Sequence, residues 1–379
     1  MKIKLSEEDF KIKNTSKNYL THNFHSYPAR FITQIPKKTI EFFTKENETI
    51  LDPFCGCGTT LVEAKLYNRN AIGIDLNPIA TLVSQAKTNK LTNKQIKIID
   101  KTLINIKNDI SNLYNKEYVK KINLPEFKNR DHWFQTNVMK ELYLIKINIE
   151  EINDKKITNF LKCALSAIIV RVSNQESDTR FASINKNIQD YETIEHFEKK
   201  VFDMKNRIIE FSLKASNSKI QIYQANTMNM NFLRDNSVDH VITSPPYANT
   251  YDYYLYHKFR MYWLDFDVKN VQKREIGSRN RYSSKKEDPK TFINDIRICF
   301  EEISRVLKPN KYAVIVIGDS IIKQQLIKIN KEINEICTQS HFRVIKEISY
   351  NMKANSRVFN PKFGNPNKLE HIIFLKNKK

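Results

Sequence analysis

Two short stretches of this chain combine residue types that serve chemistry. The first is Leu51-Asp-Pro-Phe-Cys-Gly-Cys-Gly-Thr-Thr60. Gly56 and Gly58 let the backbone turn sharply and come close to a bound molecule. Thr59 and Thr60 open a helical stretch whose first amides are unpaired donors. A phosphate cradle is a poor fit, because neither GxxxxGK[ST] nor a complete GxGxxG is present. Further on, Asp75 ends the run Ala71–Asp75, where an acid can accept hydrogen bonds from both hydroxyls of a ribose. A ribose without a phosphate requirement suits S-adenosylmethionine better than a dinucleotide. The second stretch is Val238-Asp-His-Val-Ile-Thr-Ser-Pro-Pro-Tyr247. Its prolines stiffen the backbone where an apolar strand stops. The corner presents the Ser244 hydroxyl, the Pro245 carbonyl and the Tyr247 ring, with Pro246 fixing their spacing. That set suits a planar amine, whose hydrogens need acceptors and whose face needs a ring. Ser-Pro-Pro-Tyr alone is also compatible with a plain loop or a polyproline ligand. Its place at a strand tip, in a chain that also carries the glycine loop, argues against both.

The elements that must position these residues follow from periodicity. Thr49–Asp52 reads as a strand, Thr59–Tyr67 as a helix and Ala71–Asp75 as a second strand. Asn77-Pro78 is a helix start, with proline at the first helical position. This strand–loop–helix–strand–helix unit marks an α/β fold with a mostly parallel, doubly wound sheet. From Ala80 to Ser218 glycine is absent, and apolar residues recur at helical spacing in Val138–Ile152, Ile157–Val170 and Phe197–Leu213. The segment is expected to be a mostly helical insertion packed on the sheet. Strands return at Lys219–Gln224 and Val238–Thr243. A helix is expected over Pro289–Leu307, a buried strand over Tyr312–Ile317, a helix over Ile322–Cys337, and a closing antiparallel pair from Phe342–Tyr350 and His371–Leu375. The expected organisation is therefore residues 1–80 and 219–379 as the two halves of one α/β domain, interrupted by a helical segment over 81–218.

With both motifs in hand, the chain resembles the S-adenosylmethionine-dependent amino-group DNA methyltransferases, which have a Rossmann-like fold and methylate the exocyclic amine of cytosine or adenine. The resemblance spans roughly residues 20–80 and 219–375. It implies that the Asp-Pro-Phe-x-Gly-x-Gly loop binds the cofactor and that Ser-Pro-Pro-Tyr is the catalytic loop. Ser26-Tyr-Pro-Ala-Arg-Phe31 resembles the family's N-terminal cofactor motif, near the methionine end. Arg305-Val-Leu-Lys-Pro309, followed by a strand and Gly318-Asp-Ser320, is similar to the usual later part of the fold. The implied cofactor residues are Tyr27, Ala29, Asp52, Pro53, Phe54, Gly56, Gly58, Thr59, Thr60, Asp75, Asn77, Pro78, Asn226, Thr227 and Thr243. The implied catalytic residues are Ser244, Pro245, Pro246 and Tyr247. The Ser-Pro-Pro-Tyr form is typical of cytosine-N(4) enzymes, whereas Asp-Pro-Pro-Tyr is commoner for adenine. The chain departs from the family at Asn226, where an acid often binds the cofactor's adenine amine. An amide carbonyl there still accepts that bond without the charge. The resemblance also implies double-stranded DNA as substrate, a base flipped into the pocket and direct in-line transfer. The insertion then becomes the expected target-recognition region. Methylation at carbon 5 of cytosine would need a nucleophilic cysteine after a proline. None of the five cysteines follows one. An RNA methyltransferase or an inactive DNA-binding relative remain alternatives.

Composition fits this reading. Lys and Arg number 63 against 42 Asp and Glu, a net charge of +21, which points to a polyanionic partner. Lysine excess from an A/T-rich genome would look similar, so the arginines are the sharper candidates for DNA contact: Arg171, Arg180, Arg274, Arg279 and Arg281. The last three fall in Lys273–Lys286, which reads as an exposed basic loop, and Lys376–Lys379 reads as a frayed basic tail. The aromatic run Tyr251–Tyr256 suits either a base pocket or a core. Met1–Lys13 is charged and has no secretory h-region. No apolar run is long enough for a bilayer. Cys55 and Cys57 lack a third ligand nearby, so no metal is expected. These features lead to an expected cytoplasmic location, with a restriction endonuclease as a candidate companion.

Overall fold

The structure, a computed structural model, describes residues 10, 19–118, 121–178, 180–249, 251–285, 287–322, 325–351 and 368–379. The charged N-terminal stretch read above lies, apart from Phe10, outside the described residues.

A seven-stranded sheet forms the centre. Its strands are β1 (Thr49–Asp52), β2 (Asn70–Asp75), β5 (Ile220–Gln224), β6 (Val238–Thr243), β7 (Leu307–Gly318), β10 (Phe342–Asn351) and β11 (Leu369–Asn377). The order is β10-β11-β7-β6-β1-β2-β5. β5, β2, β1, β6 and β7 pair in parallel, while β11 runs antiparallel to both β7 and β10. β6 is buried at every residue, as expected of a central strand with sheet on both sides. From β1 the chain winds outward through β2 and β5, then returns to β6 on the other side. The ends of β1 and β6 are thus neighbours at a switch point, where such sheets open a crevice. Each carries one of the two chemical motifs.

Helices α1 (Gln34–Phe43), α2 (Thr59–Leu66), α3 (Pro78–Thr88), α12 (Pro289–Val306) and α13 (Ile329–Gln339) flank the sheet. α3 starts as the sequence predicts, with the Asn77 side chain accepting from Ile79 N and Pro78 in the first turn. The insertion comprises α4 (Asn93–Tyr114), α5 (Arg130–Trp133), α6 (Thr136–Glu150), α7 (Lys155–Val172) and α8 (Glu192–Lys214), with a hairpin of β3 (Gln175–Ser177) and β4 (Arg180–Ser183). A reciprocal capping box between Thr92 and Gln95 starts α4. The insertion shares a single apolar cluster with the cofactor half. Val62, Ile79 and Val83 pack with Ile106, Leu142 and Leu165, and with Phe259 and Trp263 of α9 (Tyr253–Trp263). Arg260, 1% exposed, ties these parts together. Its Nε donates to Ser166 O at 3.0 Å, its Nη1 to Tyr256 O at 2.8 Å, and its Nη2 bonds Asp178.

Three expectations need correction. The helix expected from Ile322 begins only at Ile329. Ser320–Ile322 and Gln325–Ile327 instead pair as the hairpin β8–β9, which suits their β-branched residues. Lys273–Lys286 is not one exposed loop. It holds the end of α10 (Val268–Arg274) and all of α11 (Arg279–Ser283), and Glu275, Ile276 and Ser278 between them are buried. The C-terminus is not frayed. β11 runs to Asn377, whose Nδ2 donates to Leu307 O at 2.8 Å, and Lys379 Nζ reaches Ser304 O at 2.9 Å.

Candidate active site

The glycine loop closes on itself after β1. Gly58 N donates to Cys55 O at 2.7 Å, and Gly58 has φ +77° at the N-cap of α2. A Cβ there would lie 2.7 Å from Ser84 Oγ, so both conformation and space require glycine. Gly56 N donates to Asp75 Oδ2 at 2.9 Å, and Asn77 N donates to Asp75 Oδ1 at 2.8 Å. The acid at the end of β2 therefore braces the loop and keeps lone pairs for a ligand. At the ends of β1 and β6, Thr243 Oγ1 donates to Asp52 Oδ1 at 2.6 Å. This bond joins the glycine-loop motif to the Ser-Pro-Pro-Tyr motif.

A cavity opens at these strand ends. From the N-terminal segment Tyr27, Ala29 and Arg30 line it. From the glycine loop come Asp52, Phe54, Gly56 and Thr59, and from beyond β2 come Asp75 and Asn77. Asn226 and Thr227 follow β5, and Ser244 and Pro246 follow β6. Pro53, Gly58, Thr60, Pro78, Thr243 and Pro245 are not among the residues that line the cavity, and Pro53 O accepts from the Thr227 hydroxyl. Asn226 Oδ1 accepts from Met228 N at 3.0 Å and so shapes its own turn. Burial pushes the Asp52 carboxyl up to about 6, partly offset by the Thr243 hydroxyl. Asp75 is partly open to the cavity, yet burial pushes it up to about 6 as well, against the Asn77 and Gly56 amides.

Tyr247 is not among the residues that line this cavity. Its ring packs on the β6–β7 core, its hydroxyl donates to Glu370 Oε1 of β11 at 2.5 Å, and burial followed by Glu370 raises its pKa well above the usual range. Sequence reasoning missed Glu370, which lies more than a hundred residues away and is brought over by β11. It also missed Glu275, on the cavity wall. The Tyr251–Tyr256 run divides: Tyr253 faces the cavity, while Tyr254 is buried in the core.

The arginine candidates separate. Arg171 is exposed, with Nε 3.2 Å from His196 Nε2. Arg180 is exposed and pairs with Glu176 at 2.9 Å. Arg274 and Arg279 are exposed, and Arg274 sits on the cavity rim. Arg281 is held by Glu287 and Asp295, both at 2.8 Å, which fastens α11 to α12. A second, polar cleft shares Tyr27 and Arg30 with the first and adds Arg171, Lys199 and Lys200. Among the described residues no group of three or more His, Cys, Asp or Glu could hold a metal, and no helix is long and apolar enough to cross a membrane.

One strand-end cavity thus brings together the glycine loop, the acid at the end of β2 and the proline-stiffened turn after β6. The chain matches the N6/N4 DNA methylase family over residues 5–88 and 238–379. It belongs to this family, the S-adenosylmethionine-dependent amino-group DNA methyltransferases. The insertion falls largely in the unmatched interval. Among curated relatives, type II methyltransferase M.MvaI of Kocuria varians is 27% identical over 372 residues, covering 85% of this chain and 82% of the relative. Type II methyltransferase M.MjaII of Methanocaldococcus jannaschii is 25% identical over 387 residues, covering 79% and 72%. A methyltransferase structure from Methanosarcina mazei covers 93% of this chain and 99% of its own at 10% identity and a TM-score of 0.36, a likeness too slight to carry weight.

The cavity fits the family's cofactor. Gly56 leaves open space that a side chain would enter, with Tyr27 as the nearest neighbour at 3.5 Å. Asp75 offers acceptors for ribose hydroxyls. Asn77 Nδ2 is a buried donor with no partner among the described residues, as expected where a ligand completes the set.

Proposed function

We propose that this protein methylates N4 of a cytosine flipped out of double-stranded DNA, as the modification enzyme of a restriction-modification pair acting in the cytoplasm. The observation that carries the proposal is the single cavity lined by both motifs, with Ser244 and Pro246 beside Phe54, Gly56 and Asp75. Bound S-adenosylmethionine supplies an electrophilic methyl group on a sulfonium sulfur. The chain's own residues do the rest. Ser244 Oγ and the Pro245 carbonyl accept the amine hydrogens, which turns the nitrogen lone pair out of ring conjugation and toward the cavity. Tyr247, anchored through Glu370, supplies the stacking face for the extruded base. The amine sheds its proton after transfer, so no strong base is needed beforehand. Serine at the first position of the motif favours cytosine over adenine.

The helical insertion is the proposed target reader. Arg171 and Arg180 stand exposed on it, and Arg274 and Arg279 stand near the cavity rim. Arg171, Lys199 and Lys200 in the polar cleft suit the phosphate backbone. Arg281, occupied by two carboxylates, is proposed to act by holding α11 in place. Transfer of tritium from the labelled cofactor to duplex DNA, with a structured RNA in parallel, tests the polymer. Label on DNA alone is expected, and label on RNA alone would overturn the reading.

A further inference from the structure

The cavity contains a carboxylate that neither motif supplies. Glu275 follows α10, is 7% exposed, and lines the same cavity as Asp75 and Ser244. Its Oε1 accepts from Tyr253 N at 2.7 Å and its Oε2 from Tyr254 N at 3.0 Å. It therefore caps α9, the helix that follows the catalytic turn. Asp252 returns the connection, accepting from Ser278 Oγ at 2.8 Å and Asn280 N at 2.9 Å. Asn249 N adds a bond to Gly277 O at 2.9 Å. The exit of the catalytic turn and residues 275–280 are thus fastened to each other from both sides.

A helix cap does not require a buried acid. The two amides leave each Glu275 oxygen a second lone pair. Burial pushes Glu275 up to about 8, and the carboxylates of Asp252 and Asp75 push the same way. An acid buried beside acids is costly unless a cation offsets it. Asp52 adds a third carboxylate to the cavity wall. Among the described residues its cationic side chains are Arg274, exposed at the rim, and Arg30, one of whose bonds is Nη1 to His22 O at 2.8 Å. The Tyr27 and Tyr253 rings stack beside this group with centroids 6.3 Å apart, and ring faces attract onium cations.

We propose that Glu275 binds the cationic end of the cofactor and, through the same carboxylate, links cofactor binding to the placement of the catalytic turn. The proposal rests on the cofactor reading of the cavity.

Calorimetry on the full chain tests it, comparing the wild type with Glu275→Gln. Glutamine keeps the size and one acceptor for α9 but removes the charge. The probes are S-adenosylmethionine (ammonium and sulfonium), S-adenosylhomocysteine (ammonium alone) and methylthioadenosine (neither). We expect Glu275→Gln to weaken S-adenosylmethionine about tenfold to a hundredfold, the range of a charged hydrogen bond, and to leave methylthioadenosine within about twofold. Equal weakening of S-adenosylhomocysteine would place Glu275 at the ammonium, and an unchanged value would place it at the sulfonium. Either outcome supports the proposal. Unchanged or equally weakened affinity for all three overturns it and leaves Glu275 a structural cap. If Glu275→Gln does not fold, the wild type decides. Its preference for S-adenosylmethionine over methylthioadenosine should grow from about pH 7 to about pH 8.5, where Glu275 ionises and Asp52 and Asp75 are already largely ionised, and a flat ratio overturns the proposal. A wild type that binds none of the three probes would instead remove the cofactor reading itself.

Discussion

In the proposed function, Asp75 and Tyr247 divide the work of the site between two walls. Asp75 faces the cofactor cavity and braces the glycine loop, whereas Tyr247 stands outside the cavity lining on the Glu370 tether. Their substitutions should separate accordingly. Tyr247→Ala removes a stacking face worth about 1–3 kcal/mol, so turnover should fall roughly tenfold to a hundredfold, with S-adenosylmethionine affinity by calorimetry nearly unchanged. Asp75→Ala should weaken cofactor binding at least about tenfold. If Tyr247→Ala lost cofactor binding instead, the two walls would be wrongly assigned. The placement of Asp75 and the glycine loop at the strand ends was legible in the sequence because both lie in contiguous runs. Glu275 and Glu370 were not. Each acquires its role only when a distant segment is folded against the motif, and Glu275 lay in a stretch whose charge suggested solvent.

Elements carry the site through a few rigid joints. The tightest is the start of α2, where Gly58 holds φ +77° with no room for a Cβ beside Ser84. Gly58→Ala should destabilise the fold by about 1–2 kcal/mol from the left-handed backbone alone, with more from the clash. A urea midpoint unchanged from the wild type would show that the loop relaxes freely. The sheet strands and the long helices of the insertion were legible because their burial is periodic: Val138–Ile152 became α6, Ile157–Val170 became α7 and Phe197–Leu213 lies within α8. The short elements were not. β8–β9 and α10–α11 are each set by a few side-chain bonds, such as Asp319 Oδ1 accepting from Ile329 N at 3.1 Å. Composition over so few residues does not encode such bonds.

At the scale of the whole molecule, charge governs both stability and substrate. His22, His25, His240 and His257 are buried, and burial lowers the pKa of each. The unfolded chain binds their protons more readily, so the contribution of these histidines to stability falls as pH drops below about 6.5. Glu275 acts in the opposite sense. Its folded pKa, raised from 4.5 to about 8, makes the folded state hold its proton more tightly, so its contribution is lost as pH rises toward 8. The thermal midpoint of the cofactor-free protein should therefore decline between about pH 6.5 and 8, and Glu275→Gln should flatten that limb. Parallel curves for the two proteins would contradict this. The net charge of +21 should make DNA binding steeply salt-dependent, and each lost phosphate contact should shallow the log–log slope by about 0.9. Anisotropy titrations of Arg171→Ala and Lys199→Ala measure that directly. An unaltered slope in both would remove the polar cleft from the DNA path. The charge alone did not separate lysine-rich coding from DNA binding. The family match over residues 5–88 and 238–379 points to DNA independently of the charge.

The central claim is the chemistry at one nitrogen. Unmodified duplex DNA, incubated with the protein and isotope-labelled S-adenosylmethionine, can be digested to nucleosides and analysed by mass spectrometry. The account predicts label in N4-methyldeoxycytidine, while label in 5-methyldeoxycytidine or N6-methyldeoxyadenosine, or none in any nucleoside, would contradict it.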